Sequence, residues 1–202
     1  LSNAIVLDQN GDSVSVGDFF PVGTTTVSYI LTDTSNNVTT ETFTITITDD
    51  EDPTISGMPA NITASNDAGL CGASISWTAP TAGDNCGGSI SLTSSHASGS
   101  FFAVGTTSVT YTATDDAGNS SSASFTITVT DDEDPTLSGL PSGLTVNTSS
   151  GACTGTASWA APSGGDNCGI AGISTSHAPG SSFALGTTTV TYTATDIHGN
   201  TA

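Results

Sequence analysis

The chain has 202 residues, contains no lysine or arginine, and carries 19 acidic residues, so its formal net charge is −19. Nothing in it can neutralise phosphates, which excludes nucleic acid as a partner. Hydrophobic residues make up 35% of the chain, and they alternate with Thr and Ser in a way that a disordered acidic chain would lack. Abundant Thr, Ser and Gly, with few helix formers, predict an all-β protein.

An internal repeat with an offset of 82 residues organises the chain, because the acidic stretch 49–54 recurs at 131–136. In chain order, residues 1–50 match the second half of a repeat, residues 51–132 form a complete repeat, and residues 133–202 form a repeat that lacks its last strand. A missing strand would leave an unpaired sheet edge. We therefore expect that the parent protein continues; the alternative is that a neighbouring chain supplies the strand.

The complete repeat carries the clearest strand signals. Residues 107–113 and 124–130 alternate apolar and polar side chains, as half-buried strands do. Short strands separated by Gly- and Pro-rich turns indicate tandem immunoglobulin-like β-sandwich repeats in a linear array. Trp77 and its repeat equivalent Trp159 are predicted to lie in the core. The other predicted strands of this repeat are 61–64, 73–77 and 89–93.

The four cysteines are equally spaced in two pairs, which predicts the disulfides Cys71–Cys86 and Cys153–Cys168. Each would close a loop of about 15 residues, worth about 3 kcal/mol in the chain-entropy model. The alternative, a zinc site, fits poorly because the spacing differs from that of metal knuckles and no histidine recurs beside the cysteines. Disulfides of this kind indicate an oxidising, extracellular or cell-surface location.

Two motifs of the complete repeat resemble the hyalin repeat (HYR) domain family. The first is Trp77-x-x-Pro80 followed by Asp84-Asn85-Cys86, and the second begins at Phe102 and ends at Asn119. The resemblance covers essentially the whole chain and implies an immunoglobulin-like fold, tandem arrays and an extracellular, adhesive setting. The complete set of matching positions in the second motif is Phe102, Gly105, Thr106, Thr107, Val109, Tyr111, Ala113, Asp115, Gly118 and Asn119.

Acidic residues are predicted to gather at one pole of each sandwich, without any basic counter-ion. Converging carboxylates repel one another, and a hard cation with six to eight oxygen ligands removes that repulsion, which favours calcium. The alternative is a solvated acidic linker that only keeps the protein soluble. The candidate ligands are Asp49, Asp50, Asp52, Asp84, Asp115 and Asp116 in one junction, and Asp131, Asp132, Asp134, Asp166 and Asp196 in the next.

Four Asn-x-Ser/Thr sequons predict N-glycosylation in a eukaryotic secreted protein: Asn37, Asn61, Asn119 and Asn147. Asn37 and Asn119 are repeat equivalents, in the turn before the last strand, where a glycan is expected to face solvent.

Enzyme signatures are absent from the sequence, which contains no phosphate-cradling loop and no catalytic triad outside the repeating pattern. No apolar run is long enough to span a bilayer. We therefore expect a non-enzymatic extracellular filament or stalk segment, with copies of itself in a fibre or tandem array as partners. The alternative is a cell-surface adhesin array that binds a glycan or protein ligand. A third possibility, an enzyme with appended repeats, requires a catalytic domain outside this segment.

Overall fold

A computed structural model describes residues 3–202, and the regular secondary structure in that range consists of β-strands. The prediction of an all-β fold of tandem immunoglobulin-like sandwiches is confirmed. The strands are β1 (Asn3–Leu7), β2 (Gly23–Thr32), β3 (Val38–Ile47), β4 (Thr54–Ser56), β5 (Ile62–Ser65), β6 (Gly72–Ser74), β7 (Thr81–Gly83), β8 (Ser91–Ser94), β9 (Phe101–Ala103), β10 (Gly105–Thr114), β11 (Ser120–Thr130), β12 (Thr136–Ser138), β13 (Thr154–Thr156), β14 (Ser163–Gly165), β15 (Ile170–Thr175), β16 (Ser182–Ala184) and β17 (Tyr192–Asp196).

The chain divides into two compact units by its internal contacts. One unit comprises Leu1–Met58, Pro80–Ser94 and Thr110–Ala123, and the other comprises Pro59–Ala79, Ser95–Val109 and Ser124–Ala202. The predicted division of the chain at residues 50 and 132 stays a prediction.

The first unit begins with an antiparallel sheet in the order β1-β2-β3. β2 and β3 form a hairpin of ten residue pairs in which Gly23 lies opposite Ile47 and Thr32 opposite Val38. Val27, in the middle of β2, is fully buried, as the period-two alternation of the strand requires. β4 pairs with β7 in the same unit.

The complete repeat contains a four-stranded sheet in the order β5-β11-β10-β8. β11 runs parallel to β5, with Ile127 opposite Ile62, and β10 runs antiparallel to β8, with Tyr111 opposite Ser94. The predicted strands 107–113 and 124–130 lie within β10 and β11. Every second residue is buried over 109–113 of β10 and over 125–129 of β11. These two stretches supply Val109, Tyr111, Ala113, Phe125, Ile127 and Val129 to the core.

The predicted strand 73–77 is shorter in the structure, where β6 ends at Ser74. The backbone beyond it still finds partners, since Ile75 exchanges hydrogen bonds with Ser100 and Gly99. At Trp77 the hydroxyl of Ser98 replaces a strand partner, accepting from the backbone N–H and donating to the carbonyl, each at 2.8 Å. The ladder ends because a side chain has taken the place of a backbone group.

Both tryptophans pack among aromatic side chains of the second unit. Trp77 lies edge-on to Phe125, with ring centroids 5.4 Å apart, and Trp159 lies 6.1 Å from Phe183. The indole N–H of Trp159 donates a 2.6 Å hydrogen bond to the hydroxyl of Tyr192. These contacts are of the kind that stabilise aromatic pairs beyond their buried area.

A turn of the form Asp-x-x-x-Asn, closed by its own aspartate, recurs in all three repeats. The side chain of Asp115 accepts hydrogen bonds from the backbone N–H of Asn119 at 2.8 Å and from its Nδ2 at 2.9 Å. Burial raises the pKa of Asp115, but these hydrogen bonds and those from neighbouring backbone N–H groups outweigh burial and lower the pKa below its ordinary value. The equivalent pairs are Asp33 with Asn37 and Asp196 with Asn200.

The predicted disulfides Cys71–Cys86 and Cys153–Cys168 are wrong, because the structure joins Cys71 to Cys168, with Cα atoms 4.7 Å apart. Cys86 and Cys153 are free and exposed. Equal spacing within each repeat suggested that each disulfide closes a short loop. In the structure, the chain segments that contain Cys71 and Cys168 lie side by side in the second unit. The Asn167 side chain donates a 2.9 Å hydrogen bond to the carbonyl of Leu70, so the residues preceding both cysteines are already paired.

Candidate functional site

Three aspartates converge at the junction within the second unit. Asp131 follows β11, Asp166 follows β14 and Asp196 ends β17, and each contributes a carboxylate oxygen to a group whose members lie within 4.8 Å of one another. The ends of the strands that carry these three aspartates therefore lie close together. Like charges at this separation repel strongly when they are removed from bulk water.

Hydrogen bonds stabilise most of these charged carboxylates. Asp131, whose side chain is fully buried, lies 2.9 Å from Nδ1 of His198 and accepts from Nδ2 of Asn167 at 3.3 Å. Asp196 is also buried and accepts through one oxygen from the backbone N–H groups of His198, Gly199 and Asn200. Burial raises the pKa of Asp196, but the hydrogen bonds from Asn200 and its neighbours outweigh it and leave the pKa lowered.

Asp166 contributes an oxygen that no group within residues 3–202 satisfies. Its Oδ2 accepts from the backbone N–H groups of Cys168 at 2.8 Å and Gly169 at 3.0 Å. Its Oδ1 is buried and has no hydrogen-bond partner, and the same is true of Oδ1 of Asn167. Buried acceptors of this kind are rare in proteins and each calls for a partner.

The first unit repeats the pattern at the equivalent positions. Asp49, Asp84 and Cys86 each place a donor atom within 4.8 Å of the others. Asp84 accepts from the backbone N–H of Cys86 at 2.9 Å through Oδ2, while its Oδ1 is buried without a partner. Loss of solvent raises the pKa of the Cys86 thiol, and a hydrogen bond to Asp49 and the charges of nearby carboxylates raise it further.

Other predicted ligands do not join these groups. Asp50 and Asp134 are exposed. The side chains of Asp52, Asp116 and Asp132 accept hydrogen bonds from Ser120, Ser89 and Ser65 respectively, while Asp115 closes its own turn. Among residues 3–202, the structure therefore reduces the predicted carboxylates to two small groups.

Sequence reasoning missed three participants: His198, Asn167 and Asn85. His198 has no repeat counterpart, since Ala117 stands at the equivalent position, so the pattern gave no signal for it. The asparagines did carry a signal, because both stand in the recurring Asp-Asn-Cys motif. Asn85 donates to the carboxylate of Glu51.

The sequons differ in their surroundings. Asn61 and Asn147 are exposed, and Asn37 is exposed with its Nδ2 donating to Asp33 at 2.7 Å. Asn119 is half-buried, and its Nδ2 donates both to Asp115 and to the backbone carbonyl of Asp49. Occupancy of the four sites stays a prediction.

The β-sandwich repeats, the disulfide and the recurring acidic junctions define an extracellular or cell-surface tandem-repeat protein. The chain belongs to the HYR domain family, which matches residues 4–47, 48–129 and 130–202. The resemblance drawn from the sequence motifs is thereby confirmed. No helix in residues 3–202 is long and apolar enough to cross a membrane.

Curated relatives include two proteins named hyalin. The hyalin of Strongylocentrotus purpuratus is 35% identical over 207 residues, covering 100% of this chain and 17% of that protein. The hyalin of Lytechinus variegatus is 39% identical over 196 residues, covering 94% of this chain and 37% of that protein. The chain thus spans well under two thirds of the length of either relative.

Solved structures with some likeness include those of a protocadherin and a desmocollin. The protocadherin gammaB7 EC3-6 cis-dimer structure matches with a TM-score of 0.39 and 16% identity, covering 95% of this chain and 58% of that one. The human desmocollin-1 ectodomain matches with a TM-score of 0.27 and 12% identity, covering 98% of this chain and 50% of that one.

Proposed function

We propose that this chain is a non-enzymatic segment of an extracellular stalk or filament, in which HYR repeats follow one another and calcium stiffens their junctions. Each repeat in such an array contacts mainly its neighbours, so mechanical reach is its natural output. The partners are further copies of the repeat, in a fibre or tandem array. Glycosylation at the exposed sequons, with Asn147 and Asn61 foremost, completes the proposal.

The proposal of a metal rests on two buried oxygens that have no hydrogen-bond partner, Asp84 Oδ1 and Asp166 Oδ1. They lie at equivalent positions of two repeats. A chance defect would not be expected to recur at the same position. The donor set around Asp166 consists of carboxylate oxygens of Asp131, Asp166 and Asp196, which are the hard ligands that calcium prefers. A cation there would satisfy the orphaned acceptors and offset the repulsion among three carboxylates.

Calcium titration of wild-type protein and two matched variants tests the metal. Asp166→Asn removes a charge from the junction group, whereas Asp134→Asn removes one from an exposed residue outside it. At free calcium 100 times the dissociation constant, binding stabilises the folded chain by about 2.7 kcal/mol. We expect wild type and Asp134→Asn to gain this stability at the Asp166 junction and Asp166→Asn to lose most of that gain, while the Asp84 junction responds equally in all three proteins. Sodium chloride at equal ionic strength measures screening alone.

The structural role is tested on native material by electron microscopy with and without a calcium chelator. Straight fibres that soften or fragment on chelation support a calcium-stiffened stalk. Straight fibres unchanged by chelation, with equal calcium responses in the three proteins above, would leave a stalk with solvated acidic linkers. Dispersed beads in both conditions would contradict the filament.

The second candidate function is an adhesin array, and an open groove in the second unit favours it. Leu140, Leu144, Val146 and Trp159 line this groove together with Tyr192, and the first three of these side chains are more than 45% exposed. Exposed apolar surface of this kind marks binding sites in soluble proteins. Saturable binding of the chain to cells or immobilised glycans, abolished by Leu144→Ser, would support this function over the stalk.

A further inference from the structure

The Cys71–Cys168 bond joins unlike cysteines of successive repeats. Cys71 is the first cysteine of its repeat and Cys168 is the second cysteine of the next one. The repeat equivalent of Cys71 is Cys153, and that of Cys168 is Cys86. The two cysteines that remain free and exposed are therefore one of each type. Each of them is therefore of a type that forms a disulfide with a neighbouring repeat.

The chain leading into Cys71, which we call the cysteine turn (residues 66–71), is held by more than the sulfur. Its Gly69 N–H donates a 2.8 Å hydrogen bond to Oε2 of Glu133, and the Asn66 side chain reaches the same oxygen at 3.4 Å. The Asn167 side chain in turn donates to the carbonyl of Leu70 at 2.9 Å. The turn is thus bound by a site that we call the acceptor site, because it receives the turn. It consists of Glu133, Asn167 and Cys168.

The equivalent acceptor site consists of Glu51, Asn85 and Cys86, and its two polar groups bond each other instead. Nδ2 of Asn85 donates to Oε2 of Glu51. At the other junction, the equivalent atoms of Asn167 and Glu133 bind Leu70 and Gly69. The Cys86 thiol stands beside them, exposed. The site therefore has every group that binds a cysteine turn, and no turn within residues 3–202 is bound to it.

A second cysteine turn of the same shape precedes Cys153. The backbone N–H of Ala152 donates to the carbonyl of Ser149 at 3.0 Å, as Leu70 does to Asp67 at 2.9 Å. Gly151 has φ +74° and Gly69 has φ +73°. The groups that the acceptor site contacts, the glycine N–H and the following carbonyl, belong to the backbone, so they are present in both turns.

We infer that Cys86 binds the cysteine turn of another HYR repeat and forms a disulfide with it, so that repeats are linked one to the next by covalent bonds. In the bond-forming step, the Cys86 thiolate attacks the cysteine sulfur of the incoming turn, itself in a mixed disulfide with glutathione. The new S–S bond forms as the old one breaks, and glutathione leaves as the thiolate and takes up a proton. The electrons balance without a further oxidant.

A metal–thiolate site at Cys86 is the competing interpretation of its position beside Asp49 and Asp84. The other junction argues against it, because Cys168 has the same relation to Asp131 and its sulfur is in a disulfide. The inference deepens the proposed structural function by naming the partner of the junction, and it is independent of calcium.

The test uses a peptide of residues 63–72, which contains the Cys71 turn, activated at its cysteine as a mixed disulfide with thionitrobenzoate. Release of the coloured thiolate reports attack by the protein. The Cys153→Ser chain presents Cys86 and the Cys86→Ser chain presents Cys153. A peptide of the same composition in scrambled order, with its cysteine kept, controls for charge and intrinsic thiol reactivity. Disulfide mapping first verifies that both variants keep Cys71–Cys168.

We expect the Cys153→Ser chain to react about tenfold faster with the native-order peptide than with the scrambled one, since two or three hydrogen bonds add to the encounter. The Cys86→Ser chain should show a ratio near one, and Glu51→Ala in the Cys153→Ser background should bring its ratio toward one. The inference is overturned if the Cys153→Ser chain, which presents Cys86, reacts with the two peptides at equal rates. It is also overturned if disulfide mapping shows a Cys71–Cys86 bond. Neither result would change the calcium response or the fibres by which the proposed function is tested.

Discussion

Cys71 and Cys168 are separated by 97 residues in sequence, yet their Cα atoms lie 4.7 Å apart and their sulfurs are bonded. This distance lies in the usual range for a disulfide. The bond closes a loop that runs from one repeat into the next, so it constrains a junction as well as a repeat. In the chain-entropy model, a loop of about 100 residues removes more freedom from the unfolded chain than a loop of about 15.

Replacement of Cys168 by serine should lower the free energy of unfolding by about 2–5 kcal/mol, because the unfolded chain regains the entropy that the long loop removes. Urea denaturation of the oxidised protein measures this loss. Cys86→Ser is the matched control, since Cys86 is free and exposed, and its effect should stay within about 0.5 kcal/mol. Equal losses in the two variants would instead indicate bonds within each repeat.

Gly72→Ala should destabilise the second unit by about 1–3 kcal/mol, the usual cost of forcing an atom into filled space. Gly72 has φ +156°, and a Cβ there would collide with the backbone carbonyl of Phe102 and the ring of Phe101. Gly83→Ala is the matched control, since nothing lies within 4 Å of its added Cβ. Thermal unfolding of both variants measures the difference, and similar melting temperatures would contradict it.

Much of the fold could be predicted because local patterns set it. The alternation in residues 107–113 and 124–130 reflects burial of one sheet face, and a period of two leaves little choice of face. The packing of Trp77 against Phe125 follows from the same burial. The strand 73–77 was overestimated because propensity does not reveal that the Ser98 hydroxyl takes over the backbone groups of Trp77.

The site could be predicted only in outline. Composition showed that the carboxylates lack basic partners, and the repeat placed them at junctions. It could not show which of them meet, since Asp131 and Asp166 converge while Asp134 stays exposed. The cysteine pairing depended on contacts between distant segments, of which the Asn167 hydrogen bond to Leu70 is one. Equal spacing in the sequence carries no information about such contacts.

Tyr192→Phe should cost about 1 kcal/mol of stability, because it removes the hydroxyl that accepts the 2.6 Å hydrogen bond from the Trp159 indole and leaves a half-buried N–H without that partner. Tyr29→Phe is the matched control at the repeat-equivalent position of the first unit, where the side chain is 50% exposed. Chemical denaturation followed by circular dichroism measures both. A loss at Tyr192 no larger than that at Tyr29 would show that the hydroxyl of Tyr192 adds nothing.

Glycan occupancy should be higher at Asn147 than at Asn119 when the chain is secreted from a eukaryotic host. The Nδ2 of Asn119 uses its hydrogens to bind Asp115 and the carbonyl of Asp49, and a sugar on that nitrogen would displace one of these bonds. Asn147 lies on an exposed segment. Glycopeptide mass spectrometry gives the occupancy of each site, and full occupancy at Asn119 in the folded protein would contradict the expectation.

Acid should weaken the protein through the turns closed by Asp115 and Asp196, whose hydrogen bonds lower the pKa of each carboxyl below its ordinary value. An unfolded aspartate has a pKa of about 3.9. Because the folded-state pKa is lower, the unfolded chain binds more protons in the interval between the two, and stability rises with pH there. The contribution is fully present above about pH 5 and is lost as the pH falls through the folded-state pKa.

Asp115→Asn isolates this contribution, since it removes the charge and keeps an oxygen that accepts hydrogen bonds from the turn. Unfolding free energies of wild type and variant are measured by urea titration from pH 7 to pH 2 in a metal-free buffer. Their difference should be constant above about pH 5 and should narrow as the pH falls below about 4. Asn119→Ser, which removes the donor and leaves the Asp115 charge, should show the same narrowing. A difference that stays constant to pH 2 would mean that the turn does not favour the ionised carboxyl.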